Sequence, residues 1–284
     1  MRLLLALPLP LALAAAAAHA QAPAATPAAS ATSAAKPAAL PAASDVIARF
    51  VAAIGGRDAV MRHNSIRSSG TFEMPSAGVK GQVVLVQAKP DKMSMVMTVP
   101  GMGEILTAYD GAAGWAVNPM QGPRLLEGKE LDQMREDAGF SNVLRSSENV
   151  RSMETVGQVD MGGQSCYKLH IVFKSGRESH DCYSVETGLL VGMVGRQDSP
   201  MGAVEVVTLV SDYKDFGGLK SATRLRQQML GQEQIMTLDK VEFDGAADAA
   251  AFDPPAAIKT LLASAGRKPV VTKPVAAKPV AAKP

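Results

Sequence analysis

Aromatic residues make up only 4% of the 284-residue chain, and its central part has no excess of positive charge. Of the 29 Lys and Arg residues, two precede residue 45 and five follow Gly266, which leaves 22 against 27 acidic residues and a net charge of −5. Nucleic-acid-binding domains carry a basic surface and often use stacking aromatics. The composition therefore argues against nucleic acid as a partner.

The sequence also lacks the common catalytic motifs. It contains no Gly-x-Ser-x-Gly nucleophile elbow, no His-Glu-x-x-His zinc helix and no Gly-x4-Gly-Lys phosphate-binding loop. After residue 20 the only histidines are His63, His170 and His180. We therefore expect a protein that is not an enzyme, with no catalytic residues and no cofactor.

Long apolar runs are absent after the first twenty residues. No later stretch approaches the ~20 apolar residues that a membrane-spanning helix needs. Residues 1–20 have the pattern of an export signal: a positive start at Arg2, an apolar stretch, and the small-x-small cleavage form Ala18-His19-Ala20. No cysteine lies near this site to take a lipid anchor. The sequence predicts a soluble periplasmic protein that begins at Gln21 after cleavage.

Two segments have compositions that cannot bury a core. Residues 21–43 are almost wholly Ala, Pro, Ser and Thr, and residues 264–284 are dominated by a repeated Lys-Pro-Val-Ala-Ala theme. Because Ala and Pro offer little apolar area against the entropy of ordering, both segments are expected to be disordered. They leave one domain over residues 44–263. The basic tail is a candidate for weak contact with an anionic surface, and a purely solubilising tail is the alternative.

From Ile66 onward the apolar pattern has a period of two, in short runs separated by turn residues. The predicted strands cover residues 66–74, 79–88, 92–99, 104–109, 114–118, 151–158, 165–173, 177–184, 189–197, 203–213, 221–229 and 233–243. Strand follows strand without room for crossover helices, so the sheet should be antiparallel. Asp110-Gly111 is expected to form a type I′ turn, and Pro119 and Pro123 are expected to end the sheet.

Two regions have a helical period instead. Residues 44–54 carry one apolar stripe, with a second short helical turn at 57–62. Residues 128–145 alternate apolar and charged side chains at spacings of three and four, which predicts one or two short helices. A sheet of about 11–12 strands curls on itself. The predicted fold class is mainly β (α+β): a single curved antiparallel sheet forming an incomplete β-barrel, with helices plugging its concave side.

Five stretches occur in a characteristic order and spacing: AIGGRDAV, GTFEMPSAGVKGQV, KPDKMSMVMTVPGMGEILTAYDGAAGW, SDYKDFGGLKSATRL and FDGAADAAAFDPP. Together they resemble the outer-membrane lipoprotein-sorting, LolA-like family of periplasmic proteins over about residues 45–253. The resemblance implies an incomplete antiparallel barrel capped by helices, with lipoprotein acyl chains held in the apolar space between. The family's lid-locking arginine cannot be assigned to Arg67, Arg124 or another position.

Methionines suggest where an acyl chain would bind. Three of them alternate along one predicted strand and therefore share a face, and the unbranched thioether adapts to ligands of varied shape. Trp115 is expected to pack inward beneath the helix that follows it. The predicted cavity residues are Met93, Met95, Met97, Val99, Ile105, Trp115, Leu131, Met134 and Phe140.

The predicted function is a non-catalytic carrier whose partner is a lipid or a lipoprotein acyl chain. Ordinary core packing is the alternative for each methionine. A cell-envelope scaffold or interaction module, with a protein partner and no lipid, is the alternative for the whole domain.

The two cysteines, Cys166 and Cys182, are candidates for a disulfide, which an exported protein can form. A two-residue Ser175-Gly176 turn would pair Cys166 with Val185 and place the cysteines on opposite faces. A disulfide therefore needs a longer loop or a bulge, because the Cα atoms must lie within about 7 Å. The pattern leaves the bonded and the free forms open.

Zinc binding by these cysteines with His170 and His180 is disfavoured. Four residues of extended strand separate Cys166 from His170 by roughly 13 Å, whereas zinc ligands lie about 2.0–2.3 Å from the metal. We therefore predict no metal, with a three-ligand site of His170, His180 and Cys182 as the alternative.

Overall fold

A computed structural model describes residues 39–145, 148–199, 202–245 and 248–266. The predicted signal peptide, nearly all of the Ala/Pro-rich segment and the tail beyond Gly266 lie outside the described residues. No helix within the described ranges has the length and apolar character needed to cross a membrane.

In the part of the chain that the structure describes, thirteen strands form one antiparallel sheet, in the order β6-β5-β4-β3-β2-β1-β13-β12-β11-β10-β9-β8-β7. The strands are β1 Ser65–Met74, β2 Val79–Ala88, β3 Lys92–Val99, β4 Gly103–Tyr109, β5 Gly114–Asn118, β6 Gly122–Leu125, β7 Val150–Met161, β8 Gln164–Phe173, β9 Glu178–Ser184, β10 Leu190–Ser199, β11 Gly202–Phe216, β12 Leu219–Met229 and β13 Gln232–Phe243. The sheet is open, with β6 and β7 at its edges. The predicted fold class is confirmed, with one strand more than the alternation indicated.

The additional strand is β6. The expectation that Pro123 ends the sheet is wrong, because Pro123 pairs with Val117 at the sheet edge. Proline lacks the amide hydrogen that a central strand uses, but an edge strand has one unpaired side on which this loss is tolerated.

The turn after β4 also differs from the prediction. Tyr109 pairs with Gly114, so four residues form the loop rather than the two of a type I′ turn. The Asp110 carboxylate accepts hydrogen bonds from the backbone N–H groups of Ala112 and Ala113, at 2.9 and 2.8 Å. This Asx-type arrangement builds the turn from a side chain, and it gives the buried Asp110 a structural role.

Within the described ranges four helices accompany the sheet: α1 Ala43–Ala53, α2 Arg57–Met61, α3 Gly128–Ala138 and α4 Ala256–Ser264. Short 3-10 helices lie at Pro75–Ala77, Asn142–Leu144 and Asp248–Phe252. The first three helices agree with the apolar periodicity, whereas α4 was not predicted. Val46, Ile47 and Phe50 of α1 are buried in the main core together with the inner face of the sheet.

The position of α3 follows from the topology. Strands β1 to β6 run as hairpins from the centre of the sheet to one edge, and β7 to β13 run from the opposite edge back to the centre, where β13 pairs with β1. The connection between β6 and β7 therefore has to join the two edges. It carries α3 and the 142–144 turn, which contribute to the main core.

Candidate functional site

The predicted methionine face exists and is buried. Met93, Met95 and Met97 on β3 are at most 3% exposed and pair in register with residues 109, 107 and 105 of β4. Val99 and Ile105 belong to the same main core cluster. Five of the nine predicted cavity residues therefore lie together on two neighbouring strands.

The helical residues predicted to cover this face belong to the same cluster. Leu131 and Met134 of α3 and Phe140, just beyond its end, are all buried in the main core. Apart from Gly128 at its start, the exposed positions of α3 are charged: Lys129, Asp132 and Arg135. In the described residues the face under α3 is thus closed by protein side chains.

Trp115 is not part of this face, and the prediction that it packs beneath the following helix is wrong. Tyr109 belongs to the main core and pairs with Gly114, so the next residue along β5 points to the opposite side of the sheet. There Trp115 packs in a separate cluster with Ile258 and Leu262 of α4. Its indole nitrogen finds no hydrogen-bond partner among the described residues.

Ionic contacts anchor the segment that carries α3. Arg145, at the end of the 142–144 turn, forms an ion pair with Asp181 of β9, and the two side chains are 2% and 0% exposed. The Asp181 carboxylate also accepts hydrogen bonds from the hydroxyls of Ser179 and Tyr183, at 3.0 and 3.2 Å. Burial, the largest single effect, lowers the pKa of Arg145, but the charges of Asp181 and Tyr183 together with their hydrogen bonds outweigh it, so the pKa is raised overall.

A second ion-pair cluster holds α3 itself. The Arg177 guanidinium donates to Asp137 at 2.7 Å and to Glu136 at 3.1 Å, and it lies 5.0 Å from the centre of the Phe173 ring. Burial opposes the charge of Arg177, but Asp137 and Glu136 outweigh it and raise the pKa.

The start of α3 is anchored to β6, where Arg124 contacts both oxygens of Glu130, at 2.8 and 2.6 Å. The segment between the sheet edges is thus anchored through charges as well as through its apolar face. Sequence periodicity did not indicate the residues of these anchors. One signal was available: alternation along β9 places Asp181 on the same face as Tyr183, and a carboxylate that points into a core requires a partner.

Open space near the site is unevenly distributed. A cavity of about 20 Å³ lies between α1 and strands β10 to β12, where Phe50, Met193 and Leu225 contribute to its wall. This is room for about one water molecule and not for an acyl chain. A groove of about 660 Å³ at the rim of α3 is lined mostly by polar and charged residues, including Lys129, Arg177 and Arg196.

Cys166 and Cys182 are joined in a disulfide with a Cα–Cα distance of 5.5 Å. The β8–β9 turn has three residues, closed by a hydrogen bond from the Phe173 N–H to the Arg177 carbonyl. Cys166 therefore pairs with Ser184, two residues beyond Cys182, so the cysteines are diagonal neighbours on one face. The three-residue turn therefore places both cysteines on one face with their Cα atoms within the limit of about 7 Å, which a two-residue turn would not do.

The disulfide removes the sulfur that a zinc site would need, so the three-ligand alternative is wrong. His170 and His180 stack at a centroid distance of 4.9 Å, and His170 contacts Glu178 at 3.0 Å. Burial lowers the pKa of His180, and the positive charge of nearby Lys168 lowers it further. Across the part of the chain that the structure describes, no three His, Cys, Asp or Glu side chains are placed to share a metal ion.

The structure is an open, curved antiparallel sheet with helices that close its inner side, which agrees with the fold that the resemblance to the LolA-like family implies. Among solved structures, the chain is similar to a DUF1329 family protein from Desulfovibrio piger, with 15% identity over 74% of this chain and 95% of that chain and a TM-score of 0.52.

Two further structures are similar at lower scores. A LolA superfamily protein from Nitrosomonas europaea has 11% identity over 76% of this chain and 99% of that chain, with a TM-score of 0.49. A putative outer membrane lipoprotein-sorting protein domain from Vibrio parahaemolyticus has 10% identity over 71% and 92%, with a TM-score of 0.44. No family model and no curated protein matches the sequence. At these identities structural similarity speaks for the fold alone.

Proposed function

We propose that the protein is an exported, non-catalytic carrier that binds a lipid or a lipoprotein acyl chain between the β3–β4 face and α3. The observation that carries this proposal is the methionine face of Met93, Met95 and Met97, covered by a segment whose anchors to the sheet include several ion pairs. We further propose that residues 44–263 are the functional domain and that it works in the periplasm.

Binding on this face requires α3 to move, since the apolar side chains of α3 occupy the space that a chain would take. Leu131, Met134 and Phe140 would be replaced by acyl methylenes, each of which gains about 0.8 kcal/mol on leaving water. The methionines would adjust their side-chain rotamers to the shape of the chain. Opening separates charged pairs, and these regain hydration that offsets part of the lost attraction.

A scaffold or protein-interaction module without a lipid ligand is the second candidate. The observation that favours it is the filled core, in which the cavity beside α1 measures about 20 Å³. In that case the methionines serve only as packing, and α3 stays closed.

Native mass spectrometry of the protein isolated from the periplasm separates the two candidates. We expect co-purifying lipid in the wild type and its loss in Met95→Gln, which keeps the side-chain length but places an amide on the apolar face. Met161→Gln is the matched control, because Met161 packs beside the disulfide in a different cluster. Circular dichroism establishes that both variants are folded.

A fluorescent fatty acid added to the purified protein provides the second measurement. Uptake by the wild type and by Met161→Gln, with weaker uptake by Met95→Gln, supports the carrier. Wild-type protein that carries no lipid and takes up none of the fatty acid contradicts it.

A further inference from the structure

One end of the sheet carries a row of neighbouring hairpin turns. The strand order places the β5–β6, β3–β4, β1–β2 and β12–β13 turns side by side, about 10 Å apart for a spacing of two strands. The first two are in close proximity, since a Cβ built on Gly103 lies 3.4 Å from Pro119. Three of these four turns expose a large apolar side chain: Met120 is 77%, Met102 42% and Leu230 68% exposed.

The opposite end of the sheet is different. The described chain exposes six large apolar side chains, and the other three are Leu40, before α1, and Val156 and Val159, on the edge strand β7. None of the six lies in the turns at 89–91, 110–113, 162–163, 185–189 or 217–218 that form the other end. Exposed apolar side chains scattered singly are ordinary, but these three lie at one end of the sheet, with Met102 and Met120 on adjacent turns and Leu230 beyond the intervening β1–β2 turn.

Leu230 is unfavourable for its own turn. Met229 pairs with Gln232, so Leu230 and Gly231 form a two-residue hairpin turn, with φ angles of +51° and +73°. Such turns favour Asn-Gly, because asparagine tolerates the left-handed backbone and leucine does so poorly. A leucine here is strained and also exposed to water. Leu230 opposes both the backbone preference of the turn and the preference for polar side chains at the surface. This suggests that it was selected for contact with a partner outside the folded domain.

The cations nearest these turns in sequence are already paired. Lys80 contacts Glu73 at 2.7 Å beside the β1–β2 turn, and Arg226 contacts Glu233 at 2.7 Å beside the β12–β13 turn. Arg124, after the β5–β6 turn, is held by Glu130. At the turns that carry Met120 and Leu230, the nearest cations in sequence are thus already paired, and the exposed groups of these turns include large apolar side chains.

We propose that this end of the sheet docks onto the interfacial region of a lipid bilayer by inserting Met102, Met120 and Leu230. Apolar side chains on separate turns do not build the continuous surface of about 800 Å² per partner that a stable protein interface needs. A bilayer interface accepts each side chain independently. Docking in this way needs no bound ligand, so it does not depend on the carrier function.

The docking end is connected to α3 through the chain, although the segment just beyond α3 contacts a turn of the opposite end, where the Phe140 N–H donates to the Pro90 carbonyl at 3.1 Å. The turn that carries Met120 leads through β6 directly into α3, and the Arg124–Glu130 pair ties these two elements together. The rim groove includes residues at the start of α3 and in the β8–β9 turn, which lies at the same end of the sheet.

Flotation of the full mature chain with phosphatidylcholine vesicles tests the proposal. We expect the wild type to float with the vesicles and the triple variant Met102→Gln, Met120→Gln, Leu230→Asn to partition at least about tenfold more weakly, since apolar side chains drive interfacial binding. Val156→Thr is the matched control, because it changes an exposed apolar residue away from this end, and it should float like the wild type.

Leu230→Asn alone separates docking from folding. Asparagine suits the left-handed turn, so this variant should melt at the same or a higher temperature than the wild type while binding vesicles several-fold more weakly. Wild-type protein that fails to bind phosphatidylcholine vesicles overturns the proposal, as does a triple variant that binds like the wild type. Binding that requires anionic lipid and disappears on truncation after Gly266 also overturns it, because the basic tail then accounts for the contact.

Discussion

The Arg145–Asp181 pair holds the α3 segment to β9 through two charges that water cannot reach. Replacing Arg145 with methionine leaves the Asp181 carboxylate buried without its partner, so we expect the free energy of unfolding to fall by about 3–5 kcal/mol. Urea denaturation measures the change. The double variant Arg145→Met, Asp181→Leu should lose less than Arg145→Met alone, since it buries no unpaired charge. A single variant within about 1 kcal/mol of the wild type contradicts this assignment.

Residue-level predictions from sequence succeeded where a local pattern carries the information. Alternation along β3 identified the buried methionines, because successive side chains of a strand point to opposite faces. The same rule failed for Trp115, since its outward direction becomes favourable only when α4 covers it. Arg145 has no such pattern, because its partner lies 36 residues away in sequence.

The element proposed to open over the methionine face is α3, and Arg177 is the side chain that ties it to the β8–β9 turn. We expect Arg177→Met to speed amide hydrogen exchange in α3 roughly tenfold, since a charge-assisted hydrogen bond contributes about 1.5 kcal/mol or more. Exchange in α4 should not change. Mass spectrometry of peptides from the two helices measures both.

Arg226→Met is the control for that experiment, because its ion pair with Glu233 joins β12 to β13 away from α3. If both variants speed exchange in α3 equally, the effect is global and Arg177 does not stabilise α3 specifically.

At the level of elements, the strand periods and the two long helices followed from sequence, but β6 and α4 did not. β6 is short and contains a proline that speaks against a strand. α4 is a short apolar helix near an Ala-rich stretch, and its reason to form lies in the outer face of β4 and β5, far away in sequence. Short elements depend on tertiary partners more than on propensity.

The whole molecule depends on one seam, because the β1–β6 and β7–β13 halves of the sheet meet where β1 pairs with β13. Gly70 lies in this seam, and a Cβ added there would lie 1.9 Å from the Thr237 carbonyl oxygen. We expect Gly70→Ala to cost more than about 2 kcal/mol of stability through backbone displacement. Gly157→Ala is the control, since an added Cβ meets nothing within 4 Å there. Thermal unfolding of both variants measures the difference in stability. Equal melting temperatures would show that the seam tolerates the backbone displacement.

The sequence by itself determined a mainly β chain of consecutive antiparallel strands, an apolar methionine strand and a charged helix, because these depend on periods read over neighbouring residues. The tertiary structure alone decided that β13 closes onto β1, that α3 joins the two edges, and that Arg145 meets Asp181. It also decided that Cys166 bonds Cys182, because the length of the β8–β9 turn sets the register that brings the two cysteines together. These contacts join residues far apart in the chain, and such contacts depend on register and packing, which no local pattern encodes.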